Sequence, residues 1–168
     1  MTDSLWTVHY THEQPWSIRP IQIENLWVKP KGGIYASPMN CKESWAAWCR
    51  TENFGLSPHK VYLLVDISKA ITIDQVSDLG KLAWTKLPRS WGLQEIPDYE
   101  TMRDSGVEVI YLTAAGQWAT RFADIDSGMV LGHNLYGWDC ECLLIMSERA
   151  ILKVQKSRPR VKRKQAIA

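Results

Sequence analysis

Residues 31–38, which read Lys-Gly-Gly-Ile-Tyr-Ala-Ser-Pro, carry side chains suited to a ligand with a sugar and a flat ring. The paired glycines ending at Gly33 let a ligand or another strand approach the main chain closely. Tyr35 offers a flat ring for stacking. Ser37 and Ser44 can hydrogen-bond a sugar or a phosphate, although Ser37 is equally suited to cap a following helix.

Two side chains far from this segment also have the right chemistry for such a site. His9 lies in a β-branched and aromatic stretch, where a histidine can bind a ligand or serve a purely structural role. His12 is the alternative histidine. Glu141 begins an apolar run and can place a carboxylate beside a developing positive charge. An acid at such a position can equally be the solvated end of a strand.

These residues must be positioned by strands. β-branched and aromatic runs predict strands over residues 5–11, 34–36, 60–66, 107–112, 142–146 and 151–154. The apolar residues between 21 and 28 predict another extended piece. Prolines and glycines separate these runs and mark the connections between them.

The predicted helices lie between the strands. Apolar residues recur at helical spacing over residues 40–53, and a second helix is predicted over 74–86. Asp98 is placed to cap a short helix that stops at Gly106. Residues 114–122 suit a further helix, and 124–138 suit a loop. The pattern is that of an α+β protein.

The length of 168 residues favours one domain, which we place at residues 1–154. An apolar fraction of 45% is ordinary for a globular chain. Most of the nine tryptophans are expected in the core, with a minority lining a pocket.

The charge is unevenly distributed. Residues 153–168 hold seven Lys or Arg and no acid, which leaves 13 basic and 18 acidic side chains in residues 1–152. We interpret residues 155–168 as a basic, flexible tail. Such a tail suits phosphate backbones, and it also suits a solubilising end or an arm that neutralises the acidic body.

Targeting and metal signals are lacking in the sequence. The N-terminus lacks the basic start and apolar core of a signal peptide, and no apolar run reaches the length of a membrane span. We therefore expect a cytoplasmic protein without a membrane partner. The four cysteines form no CxxC motif, and the histidines lack ligand spacing, so reduced thiols and no metal site are expected.

Three segments, taken in order, resemble the ADP-ribosyltransferase superfamily. Residues 31–49 are similar to the signature of the poly(ADP-ribose) polymerases, Gly-[Ile/Val]-Tyr-Phe-Ala followed by a Ser-rich turn and a helix ending in Tyr-Cys. Residues 5–12 resemble the His-x-Thr strand of DarT-type toxins, and residues 139–154 resemble the closing Glu strand of the polymerases. The branch containing these proteins and diphtheria toxin uses His, Tyr and Glu in this order. The chain departs from the polymerases at Tyr10, where they have Gly, and at Ala36, where they have Phe.

The resemblance implies an ADP-ribosyltransferase-like split β-sheet core with flanking helices, and an enzyme that cleaves NAD and transfers ADP-ribose. It implies that Glu141 holds the ribose hydroxyl beside the reacting carbon, that Tyr35 stacks on the nicotinamide, and that His9 contacts the adenosine ribose. The transition state would be oxocarbenium-like. The predicted NAD-binding residues are His9, Thr11, Gly33, Tyr35, Ser37 and Ser44.

The acceptor of the ADP-ribose is expected to meet the loop before Glu141. Tyr136 and Trp138 can stack an unpaired base, and the tail can hold its phosphates, which favours DNA or RNA. Asp139 is expected on the same strand face as Glu141, where it either deprotonates a nucleophile or is a solvated edge. Arg121 either contacts the acceptor or lies on the outside of a packed helix.

Other functions also fit the sequence. A protein-directed transferase, an NAD glycohydrolase and a non-catalytic nucleotide- or nucleic-acid-binding module would use the same residues. A role as a bacterial toxin with an antitoxin partner, or as a phage effector, is compatible with the resemblance.

Overall fold

The computed structural model describes residues 3–86, 95–123 and 133–160. Within these ranges the chain forms short helices around a large sheet. The strands are β1 (Ser4–Thr11), β2 (Ile23–Glu24), β3 (Lys31–Gly32), β4 (Ile34–Pro38), β5 (His59–Asp66), β6 (Ile71–Ile73), β7 (Trp84–Lys86), β8 (Glu95–Pro97), β9 (Val109–Leu112), β10 (Cys142–Ile145) and β11 (Ile151–Gln155). The α-helices are α1 (Trp45–Thr51), α2 (Tyr99–Asp104) and α3 (Ala114–Thr120), and 3₁₀ helices span Val76–Lys81 and Glu148–Ala150.

Seven strands form one mixed sheet in the order β11–β5–β1–β4–β10–β9–β6. The β6–β9 pair is parallel, and the other neighbouring pairs are antiparallel. Two small two-stranded sheets, β2–β3 and β7–β8, lie outside it. The predicted α+β class is confirmed at this level.

The centre of the large sheet is weakly joined. β1 pairs with β5 over its whole length, from Ser4↔Asp66 to Thr11↔His59, whereas it pairs with β4 only at Thr7↔Pro38 and Val8↔Ser37. β4 continues instead along β10, through Ala36↔Leu143 to Ile34↔Ile145. Because β1 remains paired with β5 and β4 remains paired with β10, β1 and β4 diverge after Val8.

The two faces of the sheet carry separate apolar clusters. The alternation of side chains along β10 sends Cys142 and Leu144 to one face and Leu143 and Ile145 to the other. All four are at most 5% exposed. β10 is therefore buried on both sides, which explains why its sequence is a continuous apolar run.

The predicted helix over residues 74–86 is wrong. The Asp78 carboxylate accepts hydrogen bonds from the main-chain N–H groups of Asp74 and Gln75, which stabilises a 3₁₀ turn. Residues 84–86 then form β7, paired with β8. By contrast, Asp98 caps α2 by accepting from the N–H of Thr101, and Gly106 follows with a φ of 95°, as predicted.

Other expectations are met in part. The helix predicted over residues 40–53 is confined to Trp45–Thr51. The tryptophans are less buried than expected, since Trp27 and Trp118 are 51% and 68% exposed. The four cysteines are free thiols. Residues 124–132 of the predicted loop and 161–168 of the predicted tail lie outside the described ranges.

No helix among the described residues is long and apolar enough to cross a membrane.

Candidate functional site

A cavity of about 330 Å³ opens where β1 and β4 diverge. We call it the split cavity. Its walls come from β1, β4, the start of α1, and the loop before β10. The residues on which the argument below depends are His9, Lys29, Gly33, Tyr35, Trp45 and Asp139. Residues from separate parts of the sequence thus meet at one opening.

His9 bridges the two diverging strands. Its Nδ1 atom lies 2.8 Å from the main-chain oxygen of Tyr35. Since a carbonyl oxygen can only accept, Nδ1 carries the proton. Burial lowers the pKa of His9 below its ordinary value, partly offset by this hydrogen bond and by Glu13. The ring is therefore neutral at neutral pH, and Nε2 carries a lone pair that can accept a hydrogen bond.

Tyr35 combines a packed ring with an unused polar group. Its ring meets Trp138 edge to face, with centroids 5.8 Å apart, and the Lys29 ammonium lies 5.9 Å from the ring centroid. Its hydroxyl is buried and has no hydrogen-bond partner among the described residues. Burial raises the pKa of Tyr35, so the hydroxyl stays a neutral donor. An orphaned buried hydroxyl is a group that a ligand can satisfy.

Gly33 is required by the geometry at the junction of β3 and β4. Its φ of 73° lies in the left-handed region that favours glycine. A Cβ atom there would overlap Cδ1 of Leu144 and approach Cδ1 of Ile23 to 3.0 Å. The glycine therefore serves the packing of the strand and also lines the cavity.

The two predicted serines are helix caps. The Ser37 hydroxyl accepts from the N–H of Trp45 at 2.9 Å, and that of Ser44 accepts from the N–H of Ala47 at 3.3 Å. Ser37 also lines the split cavity. Their shared effect is to fix the first turn of α1, which brings Trp45 to the cavity wall.

The carboxylate that lines the split cavity belongs to Asp139. Its Oδ2 atom is 2.9 Å from Nζ of Lys29, and the two side chains are 20% and 37% exposed. Sequence reasoning missed Lys29. A partly buried ion pair of this kind fixes the direction of the carboxylate.

The Glu141 carboxylate lies on the face of the sheet opposite to the Tyr35 ring. Its Oε1 atom accepts from the Tyr111 hydroxyl at 2.5 Å, and its N–H donates to the main-chain oxygen of Glu43 at 2.9 Å. Tyr111 is paired with Leu143 in the register of β9 and β10, on the face away from Tyr35. Burial and the neighbouring Glu141 together raise the pKa of Cys41 to about 12.

The expectation that Asp139 and Glu141 share a strand face is wrong. The alternation that it assumes starts only at Cys142, where β10 begins. Before that point the chain is held by the bond from Glu141 to Glu43, and the Asp139 carboxylate turns toward Lys29.

Thr11 belongs to a neighbouring cavity of about 340 Å³, which we call the outer cavity. Its hydroxyl accepts from the N–H of Glu13 at 3.0 Å. His9 and Gly33 line this cavity as well as the split cavity. Trp16 contributes a wall and lies 5.6 Å from the His9 ring. The two cavities are thus adjacent at His9.

Of the residues predicted to meet an acceptor, Trp138 is a core residue instead. It is 1% exposed, and its indole N–H donates to the main-chain oxygen of Val28. This burial leaves no free ring face for a base. Tyr136, by contrast, is 54% exposed. The Arg121 guanidinium lies 5.9 Å from the Tyr136 ring centroid, so these two predicted residues are neighbours.

A third cavity, of about 340 Å³, lies between α1 and α3. We call it the helix cavity, and its walls include Lys42, Trp48, Trp118, Arg121 and Asp139. Sequence reasoning offered residues 116–121 as a possible acceptor-side element and singled out Arg121, but not Trp118, whose exposure depends on how α3 packs. It also missed that Cys140 and Cys142 line the split cavity.

Comparisons with family models, with curated proteins and with solved structures found no match for this chain.

Proposed function

We propose that the chain binds NAD across the split cavity and transfers its ADP-ribose to an acceptor. The observation that carries this proposal is the meeting of His9 and Tyr35 at one cavity. His9 offers a hydrogen-bond acceptor there, and Tyr35, which also lines the cavity, carries a buried hydroxyl without a partner among the described residues. A sugar with neighbouring hydroxyls and an amide-bearing ring need both kinds of group. The ADP-ribosyltransferase resemblance supplies the identity of the ligand.

The nicotinamide ring suits the aromatic wall. Tyr35 and Trp45 both line the split cavity, and Trp45 is held in place by its stack on Trp48, with centroids 4.9 Å apart and planes at 15°. Flat aromatic faces favour offset stacking on a planar ligand ring. The rest of a dinucleotide then passes His9 and Gly33 into the outer cavity, since both residues line both cavities.

The carboxylate needed for the reaction is Asp139 in this proposal. As the bond between nicotinamide and ribose breaks, positive charge develops on the ribose. A fixed carboxylate in a site shielded from water stabilises that charge. Asp139 lines the cavity and is oriented by Lys29. The resemblance gives this role to Glu141, whose carboxylate contacts Tyr111 on the other face.

The test is incubation of the full chain with NAD labelled in its adenylate half. Nicotinamide release and the label on protein, DNA and RNA from a cell lysate are measured separately. We expect release by the wild-type chain and its loss in Asp139→Asn. Asp104→Asn is the matched control, because Asp104 is 68% exposed on α2 and pairs with Arg103. Absence of nicotinamide release from the wild-type chain would contradict the proposal.

The same experiment separates transfer from hydrolysis. A glycohydrolase would accumulate free ADP-ribose and leave every macromolecular fraction unlabelled. A non-catalytic binding module would bind NAD in calorimetry and release no nicotinamide.

A further inference from the structure

The split cavity and the helix cavity meet at two neighbouring residues. Asp139 and Cys140 line both. A molecule in the helix cavity therefore lies next to a ligand in the split cavity, with Asp139 between the two. Two cavities that share a carboxylate have the arrangement needed for a group transfer between two bound reactants.

Exposed aromatic side chains lie at the helix cavity and next to its wall. Trp118, which lines the cavity, is 68% exposed. Phe122 and Tyr136, which lie against Arg121 of the wall, are each 54% exposed. The indole N–H of Trp118 donates to Glu43 at 3.0 Å, which holds the ring in one orientation. Exposed flat rings that are already oriented can stack a planar partner with little further loss of freedom.

Arg121 adds a planar cation and an unused donor. Its guanidinium lies 5.5 Å and 5.9 Å from the centroids of Phe122 and Tyr136. Its Nε atom is buried and has no hydrogen-bond partner among the described residues. A guanidinium plane stacks bases, and a nucleobase carbonyl or ring nitrogen is a natural partner for the free N–H.

The C-terminal segment is basic and comes near the helix cavity at Arg158. Within residues 153–160 there are four cations, Lys153, Lys156, Arg158 and Arg160, and no acid. Arg158 donates to the Asn40 side chain at 3.2 Å, two residues before Lys42 of the cavity wall. Cations next to a stacking surface suit a nucleic-acid strand, whose phosphates and unpaired bases alternate.

We infer that the helix cavity is the acceptor site and that it takes an unpaired base of a single-stranded nucleic acid. This inference rests on the proposed function. The bond between ribose carbon and nicotinamide nitrogen breaks, and its electron pair leaves with nicotinamide. A ring or amino nitrogen of the base forms the new bond to that carbon, and its proton passes to the Asp139 carboxylate. The base stacks on Trp118, and Arg121 hydrogen-bonds its edge.

Binding is tested first, without NAD. The probe is a mixed-sequence oligonucleotide of about 12 nucleotides, single-stranded or annealed to its complement. We expect the full chain to bind the single strand more tightly than the duplex. Trp118→Ala and Arg121→Gln should each weaken that binding by about tenfold. Trp27→Ala, which removes an exposed indole that lines neither cavity, should leave it unchanged.

Transfer is tested second, with labelled NAD and the same single strand. Label on the oligonucleotide, reduced about tenfold or more in Trp118→Ala but not in Trp27→Ala, supports the inference. Nicotinamide release with label only on protein or in free ADP-ribose overturns it and leaves the proposed function intact. Single-strand binding that is insensitive to Trp118→Ala and Arg121→Gln also overturns it. Failure of nicotinamide release in every reaction contradicts the proposed function instead, whatever the oligonucleotide binding shows.

Discussion

The imidazole of His9 and the main-chain oxygen of Tyr35 are joined by a hydrogen bond of 2.8 Å at the point where β1 and β4 stop pairing. The last main-chain register pair between the two strands is Val8↔Ser37. Beyond this pair, the two strands are joined by the His9 side chain and no longer by main-chain pairing. The bond limits how far the strands separate, and it leaves Nε2 as the ring nitrogen without the proton.

Acidification should destabilise the fold through His9. Because burial lowers the pKa of His9, the unfolded chain binds a proton more readily than the native chain, and stability is lost as the pH falls through about 6.5. The loss per pH unit is at most about 1.4 kcal/mol. We measure the free energy of unfolding in urea at about pH 7.5 and at about pH 5.5. We expect it to fall more between these two pH values for the wild-type chain than for His9→Asn. That variant keeps a donor for Tyr35 and cannot titrate. Equal decreases would contradict this account.

Asp139→Asn should lower the rate of nicotinamide release by about 100-fold or more, with little loss of NAD affinity, because the charge matters mainly in the transition state. Glu141→Gln should have a much smaller effect, since its carboxylate contacts Tyr111 outside the split cavity. Initial rates and calorimetric affinities of both variants check this. An inactive Glu141→Gln enzyme beside an active Asp139→Asn enzyme would restore the role that the resemblance gives to Glu141.

Tyr35→Phe should separate stability from binding. Removing a buried hydroxyl that has no partner in the described part of the chain leaves the free energy of unfolding unchanged or raises it by about 1 kcal/mol. The same change removes a donor to the ligand and should weaken NAD binding by about fivefold. Urea unfolding and calorimetry measure the two effects. A variant that loses stability and keeps its NAD affinity would show that the hydroxyl is structural.

Gly33→Ala should destabilise the chain by about 1–3 kcal/mol, because alanine is strained at a positive φ and its Cβ would overlap Leu144. Gly80→Ala is the matched control. A Cβ at Gly80 meets nothing within 4 Å, so this change should leave stability unchanged or raise it by about 0.4–1 kcal/mol. Chemical denaturation of both variants checks the difference. Similar effects at the two positions would argue against strain at Gly33.

Local patterns predicted the strands well. The β-branched run around His9 and the apolar run from Cys142 both form strands close to the predicted bounds. The cap at Asp98 and the stop at Gly106 were also readable, because each depends on neighbours within a few residues. That His9 and Tyr35 meet at one cavity was expected only from the family resemblance. Neither the segment around His9 nor the one around Tyr35 indicates it by its own pattern.

The orientation of the acids was not predictable from local pattern. Asp139 turns to the cavity because Lys29, 110 positions away, pairs with it. Trp118 is held in one orientation because Glu43, 75 positions away, accepts its N–H. The failed helix over residues 74–86 has a more local origin, because Asp78 caps a 3₁₀ turn and β7 pairs with the nearby β8. Contacts between distant residues outweighed the local pattern at Asp139 and at Trp118.

The split cavity also has a bearing on protein synthesis. One wall comes from β1 at the start of the chain, and another from the loop and strand at residues 139–142 near its end. Pairings between such distant segments form late, after the intervening chain has been made. A nascent or truncated chain that ends before Asp139 lacks that wall altogether. The activity proposed for this cavity would therefore appear only once residues 139–142 have been made and have joined β1.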